Sequence, residues 1–368
     1  MSSIRRDASG AWRARYRDPN GHQRSRNFAR KIDAEQFLTG IEHSKLLGAY
    51  VDPAAGRTTF REYAEQWRAV QVHRPSTAAQ VETNLRRHVL PHLGDRPLAA
   101  IRPSEIQAWV RGRSGVLKPP TVELLYRYVV AILRAAVADR LIATSPAVGI
   151  KLPKAEVHRV VPLETAVVEK LIAAVPDRYR SLVVLAAGTG MRQGECFGLT
   201  VDRVDFLRRQ VTVDRQLMLL PGAGPVLAPP KTQASYRVIP LPRVVVDALA
   251  AHIAQNPVGP LGFLFTNSDG DPIRRTRFSD EWRPAVKAAG APAGTGFHAL
   301  RHYYASLLIR HGESVKVVQA RLGHASATET LDTYSHLWPD SEDQTRAAVD
   351  HVLLAAVSDL CQTVDTEP

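Results

Sequence analysis

The front of the chain alternates: Trp12, Ala14 and Tyr16 occupy every second position between Arg13, Arg15 and Arg17. That period of two predicts a strand with one buried face and three guanidinium groups on the other. Asp18-Pro19-Asn20-Gly21 is a turn sequence, and a second basic strand carrying Arg24 and Arg26 should come after it. Asp33 is placed to cap a helix running to about Leu47, after which Gly48 and Val51-Asp52-Pro53 break the pattern, so residues 1–50 read as a small first domain. Over 58–148 the apolar spacing turns helical and predicts four helices, Thr59–Val70, Ser76–Leu90, Pro103–Arg111 and Pro120–Arg140. Pro75, Pro91, Gly94, Pro97 and Pro119-Pro120 lie between them or at their starts.

Residues 149–161 carry no helical period and read as a linker. A third domain, 162–350, should open with helices at Leu163–Ala174 and Arg178–Ala187. It then turns β-rich over Val201–Phe206, Gln210–Gln216 and Tyr236–Pro240, and returns to helix from Val244 to about Tyr334, with a short apolar strand at Phe263–Phe265. The C-terminal segment 342–368 contains an amphipathic stretch, 342–360, with Ala348, Val352, Ala355 and Ala356 on one side. The fold class expected is mainly α with small β elements, an α+β arrangement in several domains.

Charge narrows the partner. The formal charge is +12, and residues 1–31 alone hold nine Lys or Arg against two Asp, so the excess is concentrated at the front. A polyanion is the natural partner, nucleic acid before an anionic membrane surface. No run reaches the roughly 18 apolar residues that span a bilayer, and the polar, arginine-rich start lacks a signal-peptide core, so a cytoplasmic protein without a membrane partner is expected. Cys196 and Cys361 are too few and too far apart for a disulfide framework or a thiolate zinc site.

Candidate chemistry is concentrated in the third domain. In Thr189-Gly190-Met191-Arg192-Gln193-Gly194-Glu195, a glycine ends one helix and Arg192 stands at the start of the next, a good place to hold an anion. Phe297-His298-Ala299-Leu300-Arg301-His302 puts His298 and Arg301 on one helical face, where both can reach a single phosphate. His298 and His302 at i, i+4 could hold a metal, but no Glu stands beside His298 and no third ligand is evident. Arg321-Leu322-Gly323-His324 presents a histidine just past a helix end, and Tyr334 stands ten residues later. Each of these alone has an ordinary structural reading; it is the combination that points to chemistry.

Together these motifs resemble the tyrosine recombinase (phage integrase) family, and the resemblance extends over the whole chain. It implies an active site of Arg192, Lys231, His298, Arg301, His324 and the nucleophile Tyr334, with Glu195 in support. Lys231 matches the family's hairpin lysine through Pro230-Lys231-Thr232 and the subsequent Ser235 to Leu241. It further implies that residues 1–47 are an arm-type DNA-binding domain, a three-stranded sheet plus helix with Arg13, Arg15, Arg17, Arg24 and Arg26 as candidate contacts. Residues 58–148 would be the helical core-binding domain. The expected activity is integration or excision of a phage or mobile element through a 3′-phosphotyrosyl link, by a homotetramer on double-stranded DNA. A host DNA-bending factor and an excision factor are the further partners the resemblance allows, and no cofactor is called for.

The chemistry suits those residue types. Two arginines stabilise charge on the transition-state phosphate, with a hydrogen bond from His324. Tyrosine, with an ordinary pKa near 10, must lose its proton as it attacks, and His298 is typed to accept it. The resemblance assigns Lys231 as the acid for the leaving 5′ oxygen. Two other readings remain open: a catalytically silent DNA-binding protein, which would have no use for Tyr334, and a type IB topoisomerase, which relaxes supercoils without pairing two sites.

Overall fold

The computed structural model describes residues 2–354 except 20, 47–49, 52–54, 157–158, 221–223, 260, 339–345 and 348. The chain divides into two units, Met1–Val157 and His158–Pro368. Both are mainly helical with small antiparallel sheets.

The first unit opens with β1 (Ser3–Arg6), β2 (Trp12–Arg17) and β3 (Gln23–Phe28), in the order β1-β2-β3, and then α1 (Lys31–Leu46). Ala14 and Tyr16 pack under α1 against Ala34, Leu38 and Ile41, as the alternation requires. Residues directly opposite in an antiparallel pair share a face, and the register decides where each arginine goes. Arg5 pairs with Arg13, Arg13 with Asn27, Arg15 with Ser25 and Arg17 with Gln23, so these side chains share the open face. Arg24 pairs with Tyr16 and Arg26 with Ala14, which puts both on the α1 side instead. There Arg26 lies 5.3 Å from the ring centroids of Phe28 and Phe37, and Arg24 reaches Asp18 at 3.3 Å. The expected second basic strand is present as β3, but its Arg24 and Arg26 lie along the edge of the core rather than beside Arg13, Arg15 and Arg17. Asp33 falls inside α1 rather than capping it and is gripped by Arg30 at 2.8 Å.

The rest of this unit is a helical cluster: α2 (Phe60–Ala69), α3 (Pro75–Asn84), α4 (Leu90–Leu93), α5 (Pro103–Ser114) and α6 (Pro119–Ala138). Thr59 caps α2 in a reciprocal pair with Glu62, its hydroxyl accepting the Glu62 N–H while the Glu62 carboxylate accepts the Thr59 N–H. Along α6, Val122, Leu125, Val129, Ile132, Leu133 and Ala136 recur at helical spacing and bury one stripe. The helix expected over 76–90 neither runs uniformly nor stops at Pro91. Leu85–Val89 forms a π-helical turn, with the Leu90 N–H reaching the Leu85 carbonyl, and the helix continues as α4. Pro91 has no N–H and would press on the carbonyl four residues back; the widened turn admits it.

The second unit runs α7 (Thr165–Ala174), α8 (Asp177–Thr189), α9 (Gln193–Phe197), β4 (Val204–Asp205), β5 (Gln210–Val213), β6 (Gln216–Leu220), β7 (Gly224–Ala228), β8 (Arg237–Pro240), α10 (Arg243–Gln255), α11 (Arg275–Ala288), α12 (Ala299–Arg310), α13 (Val315–Leu322) and α14 (Ala327–Tyr334). β4, β5 and β8 form one sheet, and β6 with β7 a separate hairpin. The strand expected over 201–206 shrinks to a 3-10 turn and the two residues of β4. The Phe263–Phe265 candidate makes only an isolated bridge from Phe263 to Thr200. The core gathers around Leu171, Leu182, Leu185, Val245 and Phe265 and includes the rings of Phe197, Phe278, Trp282 and Phe297.

Two helices of this unit end on glycines in the left-handed region, which glycine adopts without strain: α8 on Gly190 (φ +64°) and α13 on Gly323 (φ +66°). Space demands glycine as well. A Cβ on Gly190 would lie 2.5 Å from Tyr304 Cδ1, and one on Gly323 2.9 Å from the Ala234 carbonyl oxygen. Of the amphipathic segment expected over 342–360, Ala348, Ala355 and Ala356 lie outside the described residues; 349–354 are helical.

Candidate active site

Both glycine-ended helices stop with carbonyl groups that have no partner in the next turn, and arginines take them. Arg301, 2% exposed, donates Nη1 to the Gly190 carbonyl at 2.8 Å and Nη2 to the Leu322 carbonyl at 2.7 Å. Arg192 donates to the Gly323 carbonyl at 3.1 Å, and Arg237 Nε to the Arg321 carbonyl at 2.8 Å. Helix C-termini carry partial negative charge, which is why guanidinium groups collect there.

Glu195 locks two of these arginines. Its carboxylate accepts the Arg192 backbone N–H at 2.8 Å and Arg192 Nη1 at 3.1 Å, and it receives both terminal nitrogens of Arg237 at 2.8 and 3.2 Å. The Glu195 and Arg237 side chains are 2% and 5% exposed. Burial alone would raise the Glu195 carboxyl, but Arg237 and then Arg192 hold it below its ordinary value. Glu195 thus braces arginines, as expected of a support residue, though none of its bonds goes to a histidine. Arg237 was not singled out from the sequence: it stands 42 residues from its partner, on a strand whose pairing no local spacing reveals.

Tyr334 closes the site. Its ring is 1% exposed and stacks on His324 at 6.3 Å with an interplanar angle of 11°. His324 is fixed from behind by the Thr330 hydroxyl, 2.8 Å from Nδ1. The Tyr334 hydroxyl meets Nδ1 of His302 at 2.8 Å. His298, the residue typed from the sequence to take the tyrosine proton, starts α12 one turn earlier and touches His302 edge-on, with ring centroids 4.8 Å apart. His302, considered from the sequence only as a metal partner for His298, is therefore the imidazole at the hydroxyl. Lys231 comes just after the β6–β7 hairpin and is exposed; with Arg192, Glu195, Ser235, Gly323 and Glu329 it lines a cleft of about 260 Å³. Arg192, Lys231, His298, Arg301, His324 and Tyr334 thus all belong to one neighbourhood, while the candidate arginines of residues 13–26 belong to the other unit.

Three family models match the chain in order: the phage integrase N-terminal domain over residues 2–47, the phage integrase N-terminal SAM-like domain over 59–112, and the phage integrase family over 162–340. The prophage phiRv2 integrase of Mycobacterium tuberculosis is 32% identical over 346 residues, covering 90% of each chain. The chain belongs to the phage integrase family. It is a tyrosine-type site-specific DNA recombinase. Among solved structures, the Tn1549 transposon integrase in complex with a circular intermediate DNA superposes with a TM-score of 0.69 at 25% identity, covering 80% of this chain and 99% of that one. A lambda integrase tetramer bound to a Holliday junction shares the fold at a TM-score of 0.58 and 20% identity, over 89% of this chain and 96% of that one. Among the described residues, no helix is long and apolar enough to cross a membrane.

The electrostatics of this integrase-family site are set by burial beside guanidinium groups. Burial, then His302 and Arg301, push His298 down to about 4. Burial, then Arg301, push His324 to about 4, against an opposing pull from Glu329. His302 is lowered too, by burial and then Arg301. Burial raises the Tyr334 hydroxyl to about 12, with Arg301 opposing. At neutral pH the site holds neutral imidazoles and a protonated phenol around cationic arginines.

Glu195→Ala leaves Arg237 buried without its counter-charge and should cost about 3–5 kcal/mol in urea unfolding; a loss under about 1 kcal/mol would contradict the bracing role. His298 and His324 titrate lower when folded than free imidazole does, so between about pH 6.5 and 4 the unfolded chain binds more protons. Stability of the DNA-free protein should be full above pH 6.5 and fall as pH drops through that window. Urea midpoints flat from pH 7 to 4.5 would contradict the neutral, buried histidines.

Proposed function

We propose that Arg192, Arg301, His298 and His324 surround one scissile phosphate, that Tyr334 attacks it, and that Lys231 protonates the departing 5′ oxygen. The observation that carries this reading is the convergence of Arg192 and Arg301 on the two glycine-ended helix termini that flank His324 and the buried Tyr334. A phosphodiester is already anionic, and attack adds negative charge to its equatorial oxygens. Guanidinium groups pinned by carbonyls and by Glu195 are oriented before the substrate arrives, so little reorganisation is needed as charge develops. The product is a 3′-phosphotyrosyl link that conserves the broken phosphodiester, and a 5′ hydroxyl from another strand reverses the attack without ATP.

Partner and assembly are inferred from likeness to the Tn1549 and lambda integrases, which were solved on DNA, the latter as a tetramer on a Holliday junction. The substrate of this chain is two duplex sites of a phage or mobile element, bound by four protomers, with a host DNA-bending factor and an excision factor as further partners. The C-terminal segment suits contact with a neighbouring protomer, because Val349, Val352, Leu353 and Leu354 are each at least half exposed on one short helical stretch. In the first unit, the open sheet face with Arg5, Arg13, Arg15 and Arg17 is the surface for arm-type DNA, and Arg24 and Arg26, on the α1 side, are left out of it.

On a plasmid carrying the two attachment sites, the wild type should exchange the sites rather than only relax supercoils. Arg192→Ala should slow single-turnover strand cleavage by about 10²-fold or more while leaving core-site affinity within a few-fold. Relaxation without exchange would favour a topoisomerase, and an unchanged cleavage rate would remove Arg192 from the phosphate.

A further inference from the structure

We propose that His302, not His298, is the general base that accepts the Tyr334 proton during strand cleavage. The inference rests on the reading of Tyr334 as the nucleophile. Its foundation is geometric: His302 Nδ1 stands 2.8 Å from the Tyr334 hydroxyl, the two ring centroids are 5.6 Å apart, and no other hydrogen bond of that hydroxyl is found among the described residues. A proton acceptor must be within hydrogen-bond reach of the proton it removes. His302 meets that condition, and His298 faces His302 edge-on rather than the phenol.

The two histidines stand at i and i+4, His298 capping α12 and His302 within it, about 6 Å apart along the helix axis. That offset divides their work. The charges that act on His298 are His302, Arg301, Arg192 and His324, so it sits among the groups aimed at the phosphate. His302 faces Arg301 and His298 on its own helix and Tyr334 from α14, beyond which lie His324 and Glu329. No carboxylate pairs with His302 among the described residues, and both burial and the nearby Arg301 favour its neutral form. A neutral ring with its proton on Nε2 leaves Nδ1 free to accept from the phenol.

The step balances. A bond forms between Tyr334 Oη and phosphorus as the bond from phosphorus to O5′ breaks. The phenol proton passes to His302 Nδ1, and Lys231 supplies a proton to O5′. Rejoining runs the same transfers backwards, so both groups are restored.

The test is single-turnover cleavage of a nicked core-site duplex by the full-length protein, with DNA affinity measured in parallel and Tyr334→Phe as the control for the nucleophile. His302→Ala and His302→Gln should bind the duplex as the wild type does and cleave about 10²- to 10⁴-fold more slowly, the range a positioned general base contributes. Added imidazole should restore part of the His302→Ala rate, with a pH profile that tracks free imidazole. Replacing Tyr334 by 3-fluorotyrosine, a more acidic phenol, should shrink the loss caused by His302→Ala. A His302→Ala rate equal to or above the wild type would overturn the proposal, because the bond would then be only a restraint on Tyr334. So would a full rate from His302→Gln, which can hydrogen-bond but is not a base at neutral pH; this variant also carries the test should His302→Ala not fold. An adduct from Tyr334→Phe would instead remove the nucleophile assignment, a failure distinct from either of these.

Discussion

Arg301 bridges two helix ends. One buried guanidinium donates to the carbonyls of Gly190 and Leu322, and so fixes the distance between the close of α8 and the close of α13. Arg192 begins two residues beyond the first of those ends, and His324 two residues beyond the second. Each charge-assisted bond contributes about 1.5–3 kcal/mol, but the larger effect is positional: without the bridge, Arg192 and His324 would be set by separate helices. The left-handed glycines make it possible. They turn the chain sharply enough to leave the last carbonyls open, and their missing Cβ atoms let Tyr304 and the Ala234 carbonyl close in behind.

That bridge sets the electrostatic character of the site. Three guanidinium groups, Arg192, Arg237 and Arg301, are collected around one carboxylate, Glu195, which leaves an excess of positive charge in a largely buried pocket. Burial and Arg301 pull the protons off the neighbouring histidines, so they add hydrogen-bonding capacity without adding more repulsion. Such a site is incomplete without an anion. On the proposed reading a phosphodiester gaining charge in its transition state satisfies it, and the same excess positive charge favours the anionic phenolate of Tyr334 against the burial that disfavours it.

Much of this was legible in the chain. Helices bounded by Pro75, Pro103 and Pro119 and capped by Thr59 appear close to where their signals put them, because those signals act through local backbone geometry. Arg192, His298, Arg301, His324 and Tyr334 were readable as motifs, since each sits at a helix start or end with its own spacing. What was not legible depends on pairing across distance. The register that turns Arg24 and Arg26 to the α1 side, the Arg237 that meets Glu195 from another strand, and the π-helical turn that absorbs Pro91 are decided by neighbours remote in sequence or by strain in a single turn. The choice between His298 and His302 lay within reach as an i, i+4 pair, yet only the placement of α14 shows which ring meets the phenol.

On this reading the arginine-bridged pocket directs one tyrosine out of ten onto DNA. The direct measurement is to trap the protein on a nicked core-site duplex, digest protein and DNA, and sequence the nucleotide-bearing peptide by mass spectrometry. A single modified peptide is expected, with a 3′-phosphoryl nucleotide on Tyr334. Attachment to any other tyrosine, or a 5′-phosphoryl link, would contradict it.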